Sequence, residues 1–166
     1  MVNMRKLFLV LVVVSLFAAP MLSWAYSGMK EMPAADGKAV WDYITKYKYQ
    51  EWPLWPGKGE LYKGGHPHGA LLTTYVSKDA QKVIDGKKGM FDNGAFIIKE
   101  NYSPEKKLGA VTVMYRVKGY NADAGDWFWA KYKPDGTVEK EGKVGGCINC
   151  HNSKIENDWV FTGPVK

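Results

Sequence analysis

The chain has 166 residues, with 23 basic against 17 acidic side chains and a formal net charge of +6. Its lysines are scattered, with no long basic run of the kind that tracks a nucleic-acid backbone, so no nucleic-acid partner is expected. There is no internal repeat or low-complexity tract, and the length suits one domain with enough chain to bury a core.

Arg5 and Lys6 precede an unbroken, mostly aliphatic stretch from Leu7 to Ala19, and Ser23-Trp24-Ala25 places small residues where a signal peptidase needs them. This pattern predicts a secretory signal peptide over residues 1–25, cleaved to leave Tyr26 first, and hence export to the periplasm. The alternative is an uncleaved anchor. The apolar stretch falls short of the roughly 20 residues that cross a bilayer, so no stable membrane anchor is expected after cleavage. The remaining 141 residues would carry 21 basic and 17 acidic side chains, a balance of +4.

Residues 26–35 show no period and read as a flexible arm, leaving one domain over 36–166. Asp36 is placed to cap a helix in which Ala39, Val40, Tyr43, Ile44 and Tyr47 form one stripe. Glu51 to Pro67, rich in Pro, Gly and Trp, reads as an ordered loop. Leu71 to Ser77 is β-prone, and Ser77 to Asp85 predicts a short helix with Ala80, Val83 and Ile84 on one side. Gly94 to Tyr102 is a second strand. Ala110 to Lys118 alternates, with Val111, Val113, Tyr115 and Val117 on one face. Asp126 to Lys133 ends at Pro134-Asp135-Gly136, a turn sequence, and Thr137 to Val144 can return beside it. The expected fold class is α+β: a single domain rich in antiparallel sheet, with an N-terminal helix and a short helical segment at the C-terminus.

That last segment carries the chemistry. Cys147-Ile148-Asn149-Cys150-His151 uses both cysteines of the chain and follows the C-x-x-C-H pattern of covalent haem c attachment. Each thiol can form a thioether with one vinyl group of the same macrocycle, and the adjacent histidine can put an imidazole nitrogen on the iron. Three other readings use the same residues. They are a thioredoxin-like redox pair, a structural disulfide, and a zinc site made of Cys147, Cys150, His66 and His68. Covalent haem attachment outside the cytoplasm agrees with the export signal. Six tryptophans and ten tyrosines follow the signal, enough to line a haem crevice or simply to pack a core.

From His66 to Phe161 the chain resembles the cytochrome P-460 family, which includes the cytochromes c′-beta. The residues that carry the resemblance are Gly69 to Val76, Asn93 to Glu100, Gly125 to Trp129, Cys147 to His151, and Val160-Phe161-Thr162. It implies a periplasmic homodimer of β-rich subunits, each holding one covalently bound haem c through Cys147 and Cys150. It implies His151 as proximal iron ligand and an open distal side. The P-460 members oxidise hydroxylamine and link a lysine side chain to the haem, and Lys99 resembles that lysine. Otherwise Lys99 is an outward lysine paired with Glu100 or solvent. His68 falls where some relatives place a distal phenylalanine. It can hydrogen-bond a ligand, relay a proton, ligate the iron, or be a plain loop residue. Phe91 and Phe96 are weaker candidates for the distal wall and better candidates for core. Arg116 and Asp126 are candidates to hold haem propionates or to support the site by hydrogen bonds from behind, and each can equally be a surface charge.

Three functions follow. An enzyme would oxidise hydroxylamine to nitrogen oxides and pass electrons to an external acceptor such as another cytochrome. A c′-beta-like protein would bind nitric oxide or carbon monoxide without turnover. An electron-transfer cytochrome would use a second strong axial ligand, for which Met90 and Met114 are available.

Overall fold

The computed structural model describes residues 31–166; the expected signal peptide and the first half of the expected arm lie outside the described residues. Where the chain enters, the Pro33 carbonyl accepts a hydrogen bond from the Tyr115 hydroxyl at 3.0 Å.

Helix α1 (Gly37–Lys46) starts as expected, with the Asp36 carboxylate accepting from the Ala39 N–H at 2.9 Å. The sheet follows in six strands: β1 (Tyr62–Lys63), β2 (Leu71–Val76), β3 (Phe96–Tyr102), β4 (Leu108–Arg116), β5 (Trp127–Tyr132) and β6 (Val138–Gly142). Each pairs antiparallel with the next, so spatial order equals chain order. Helix α2 (Lys78–Asp85) sits between β2 and β3. Ser77 caps it and also accepts from the Phe96 N–H, which ties the helix to the strand it precedes. The expected α+β architecture is the one present. Strand β1 is the exception: it lies inside the stretch read as a loop, and only two residues of it pair.

At Pro134-Asp135-Gly136 the chain reverses through a turn whose Gly136 has φ +88, a region where a side chain would be strained. That turn joins the strands whose outermost member, β6, is covered on one side by α1 through a hydrogen bond from Gly37 N–H to Glu141.

Both faces of the sheet are covered, and alternation along the strands sorts residues between them. One face packs Phe96, Ile98, Val111, Val113, Tyr115 and Phe128 against Val40 and Ile44 of α1. The other packs Ile97, Met114, Trp127 and Trp129 against α2 and against Trp159, Val160 and Val165 of the C-terminal tail. Val111, Val113 and Tyr115 thus share a face as the alternation requires. Phe91 and Phe96 are core, on opposite faces. Phe91 packs against Trp55 and Trp127, and Phe96 stacks on Tyr115 with ring centres 4.2 Å apart.

Helix α3 (Gly145–His151) and the 3-10 turn Asn152–Asn157 end the chain across the second face. Asn157 latches the tail. Its amide donates to the Val160 and Gly163 carbonyls, and its carbonyl oxygen accepts from the Val165 N–H.

Candidate functional site

Between the second sheet face and α3 lies a cavity of about 590 Å³. Its position follows from strand parity. In β3 the side chains of Ile97, Lys99 and Asn101 point to this face; in β4, Thr112 and Met114 do; in β5, Trp129 and Lys131 do. From the other side come Cys147, Cys150 and His151 of α3. His68 enters from the loop before β2. The fold therefore brings Cys147, Cys150, His151, Lys99 and His68 to one place, although they are separated by up to 83 positions in the chain.

The two thiols are free and are not bonded to each other, with Cys147 half-buried and Cys150 exposed. His66 is exposed and borders a smaller side cavity with His68. Among the described residues no group of three or more histidine, cysteine or acidic side chains could hold a metal ion, so the four-residue zinc set is not assembled.

His151 is the last residue of α3 and is buried. Its Nδ1 lies 2.6 Å from the Trp159 carbonyl oxygen. A carbonyl can only accept, so Nδ1 carries the proton and Nε2 keeps a free lone pair, the tautomer a metal ligand needs. Burial lowers the tendency of the ring to protonate, which keeps it in that neutral form. The acceptor is held by a left-handed turn at Asp158 and Trp159, φ 51 and 68. Asp158 is fastened there from two sides: its carboxylate accepts from Arg116 at 2.7 Å and from the Phe91 N–H at 2.7 Å. Its carbonyl accepts from the Trp127 indole at 3.2 Å. Burial pushes the Asp158 carboxyl above its usual range despite Arg116.

Arg116 does not reach the cavity; its hydrogen bond supports the turn behind His151. It lies on the buried Asp158 pair and over the Trp127 ring, outside the cavity wall. Asp126 is also elsewhere, accepting from the Gly119 and Asn121 N–H groups to close the turn before β5. The cationic side chains that do line the cavity are Lys99, Lys131 and Lys140, and among the described residues no acidic side chain lines it.

Lys99 enters the cavity while its neighbour Glu100 points through the sheet to the other face. There Glu100 accepts from the hydroxyls of Tyr49 at 2.9 Å and Tyr102 at 2.6 Å. Successive strand residues face opposite sides, so a Lys99–Glu100 pair is excluded by the backbone. The Lys99 amine has no ion pair or hydrogen bond among the described residues, and burial pushes it down to about 8.

His68 donates from Nδ1 to the Asn101 Oδ1 at 2.8 Å. The amide orientation is settled because Asn101 Nδ2 donates to the Lys99 carbonyl at 2.9 Å and the Ala110 carbonyl at 3.2 Å. His68 is pushed down to about 4, first by burial and then by Lys99. Its ring centre lies 6.4 Å from that of His151, with the planes at 84°. Trp129 packs 4.6 Å from His151, and its buried indole N–H finds no acceptor among the described residues. Met114 lines the cavity, whereas Met90 is exposed.

These residues fit a haem. The cavity volume suits a bound cofactor, two unbonded thiols flank it, one imidazole presents a free nitrogen, and the lining is cationic where a dianionic cofactor would sit. Sequence reading did not reach Trp159, Asp158 and Asn101, which orient the two histidines; their signal is purely spatial. The Cytochrome P460 family model matches residues 47–162. No curated protein matches the chain. The match spans most of the chain, which belongs to the cytochrome P460 family.

Proposed function

From that membership, which makes the chain a haem protein, we propose that it is a periplasmic haem c protein that oxidises hydroxylamine to nitrogen oxides. The observation that carries this is the Lys99 amine, desolvated and unpaired in the same cavity as Cys147, Cys150 and His151. In the P-460 branch a lysine is linked to the haem; in the c′-beta branch it is not.

Cys147 and Cys150 would tether one haem through thioethers, and His151 would offer it the unprotonated Nε2. When bound, haem supplies the redox chemistry that no side chain of this chain can supply. The side chains do the rest. Trp159 and Asp158 hold His151 in its ligand tautomer. Ile97, Met114 and Trp129 keep the cavity wall apolar. His68, neutral and with Nε2 free, accepts protons as the substrate nitrogen loses them together with electrons, which leave to an external acceptor. Export over residues 1–25, cleavage before Tyr26 and assembly as a homodimer belong to the same proposal.

Nitric oxide or carbon monoxide binding without turnover is the second reading, supported by the absence, among the described residues, of any acidic side chain in the lining. Hydroxylamine-dependent reduction of an artificial acceptor by purified haem-loaded protein separates the two. Turnover supports the enzyme, and gas binding without turnover replaces it by the c′-beta reading.

A further inference from the structure

We propose that His68 is a displaceable sixth ligand: His68 and His151 are set to grip one iron ion from opposite sides, so the site is closed until an incoming ligand displaces His68. This rests on the haem reading above and goes beyond it, since that reading requires only His151 on the iron.

Three observations meet here. The first is chemical matching. Both rings donate from Nδ1 to a fixed oxygen, Trp159 O for one and Asn101 Oδ1 for the other, so both keep the lone pair on Nε2. The second is spacing. A ring nitrogen stands roughly 1 Å from its ring centre and a metal–imidazole bond is roughly 2 Å, so two imidazoles on one ion have centres roughly 6 Å apart. The observed separation is 6.4 Å. The planes cross at 84°, so the two rings are not stacked face to face.

The third is anchorage. His68 is carried on a short loop whose Gly64 and Gly69 are so tightly packed that a Cβ at either would collide with backbone, of Gly69 and of Tyr102 respectively. Gly64 N–H donates to the Ala70 carbonyl and His68 N–H to the Gly65 carbonyl, each at 2.9 Å or less. The loop thus fixes where the ring stands, and Asn101 fixes which way it faces. At this separation no small molecule fits between the ion and His68, so substrate or gas enters by breaking the His68 bond. The freed Nε2 is then the proton acceptor beside the new ligand.

The test compares the full haem-loaded protein with His68→Ala by absorption and electron paramagnetic resonance of the ferric form, and by carbon monoxide affinity of the ferrous form. The expected wild-type spectrum is low-spin and six-coordinate. His68→Ala becomes high-spin, free imidazole restores the low-spin spectrum, and carbon monoxide affinity rises about tenfold or more because a closed fraction no longer competes. His68→Phe fills the same space without a ligand nitrogen and gives the same readout if the alanine variant fails to fold. A high-spin wild type with covalent haem overturns the inference and leaves the haem reading intact. A low-spin spectrum that persists in both variants also overturns it, with Met114 or Lys99 as the ligand instead. Protein that never acquires covalent haem overturns the haem reading itself, and this inference with it.

Discussion

Replacing Asp158 with alanine strips the support of His151 without touching the cavity. The carboxylate is buried and is the ion-pair partner of Arg116, itself only 11% exposed at the side chain. Its loss leaves a guanidinium without a counter-charge and the Phe91 N–H without an acceptor. Removing one partner of a buried pair costs about 3–5 kcal/mol. Here the lower end applies, because burial already opposes the charged form of Asp158 and so takes back part of what Arg116 provides. About 3 kcal/mol is a large share of the roughly 5–15 kcal/mol that holds a domain of this size folded. Asp158→Asn keeps an acceptor for Phe91 and should lose roughly half as much. Urea denaturation followed by tryptophan fluorescence measures both. A loss below about 1 kcal/mol for Asp158→Ala, the range of an exposed pair, would refute the claim that this contact holds the Asp158–Trp159 turn in place.

Changing both Cys147 and Cys150 to serine is expected to abolish covalent haem, read as loss of haem stain on a denaturing gel. Either single change should leave one thioether and a shifted pyridine haemochrome band. Lys99→Met is expected to return the ferrous Soret band to an ordinary c-type position and to abolish hydroxylamine turnover. A spectrum unchanged in Lys99→Met, with a wild-type intact mass that shows no loss of two hydrogens beyond the thioether-bound haem adduct, would show that no link forms. Stability is expected to fall in alkali. Burial raises Tyr75 to about 12 and moves Tyr49 and Tyr102 the same way, with Glu100 adding to each. Groups whose folded value lies above the unfolded one contribute fully below about pH 10 and lose that contribution, about 1.4 kcal/mol per pH unit each, as pH climbs through the folded value. The phenolate absorbance that is missing in Tyr49→Phe should appear in the wild type only together with unfolding; the same difference present at pH 10 in folded protein would contradict this.

What was legible in the chain is what local chemistry writes. Cys147, Cys150 and His151 lie within five residues, so their meeting at one cavity is written in the chain itself. The strands were legible because alternation in Val111 to Val117 and the Pro134-Asp135-Gly136 turn are local signals. The suggested Lys99–Glu100 pair was a misreading that the same alternation forbids, since adjacent strand residues face opposite sides. Contacts between distant segments were not. Arg116 meets Asp158 42 positions later, and His68 meets Asn101 33 positions later. No spacing announces either, so Arg116 looked like a free cation and His68 like one of several loop residues. Strand β1 hid in a Gly- and Pro-rich stretch because two residues are too few to show a period.

The walls and the roof of the cavity are separate stretches of the chain. Every wall strand ends by Gly142, the thiols follow at 147 and 150, and Asn157 ties down the tail beyond them through Val160, Gly163 and Val165. All strand pairing lies within the walls. Lifting the roof would therefore break no strand pairing, and a bulky occupant could be admitted while the sheet beneath stays whole.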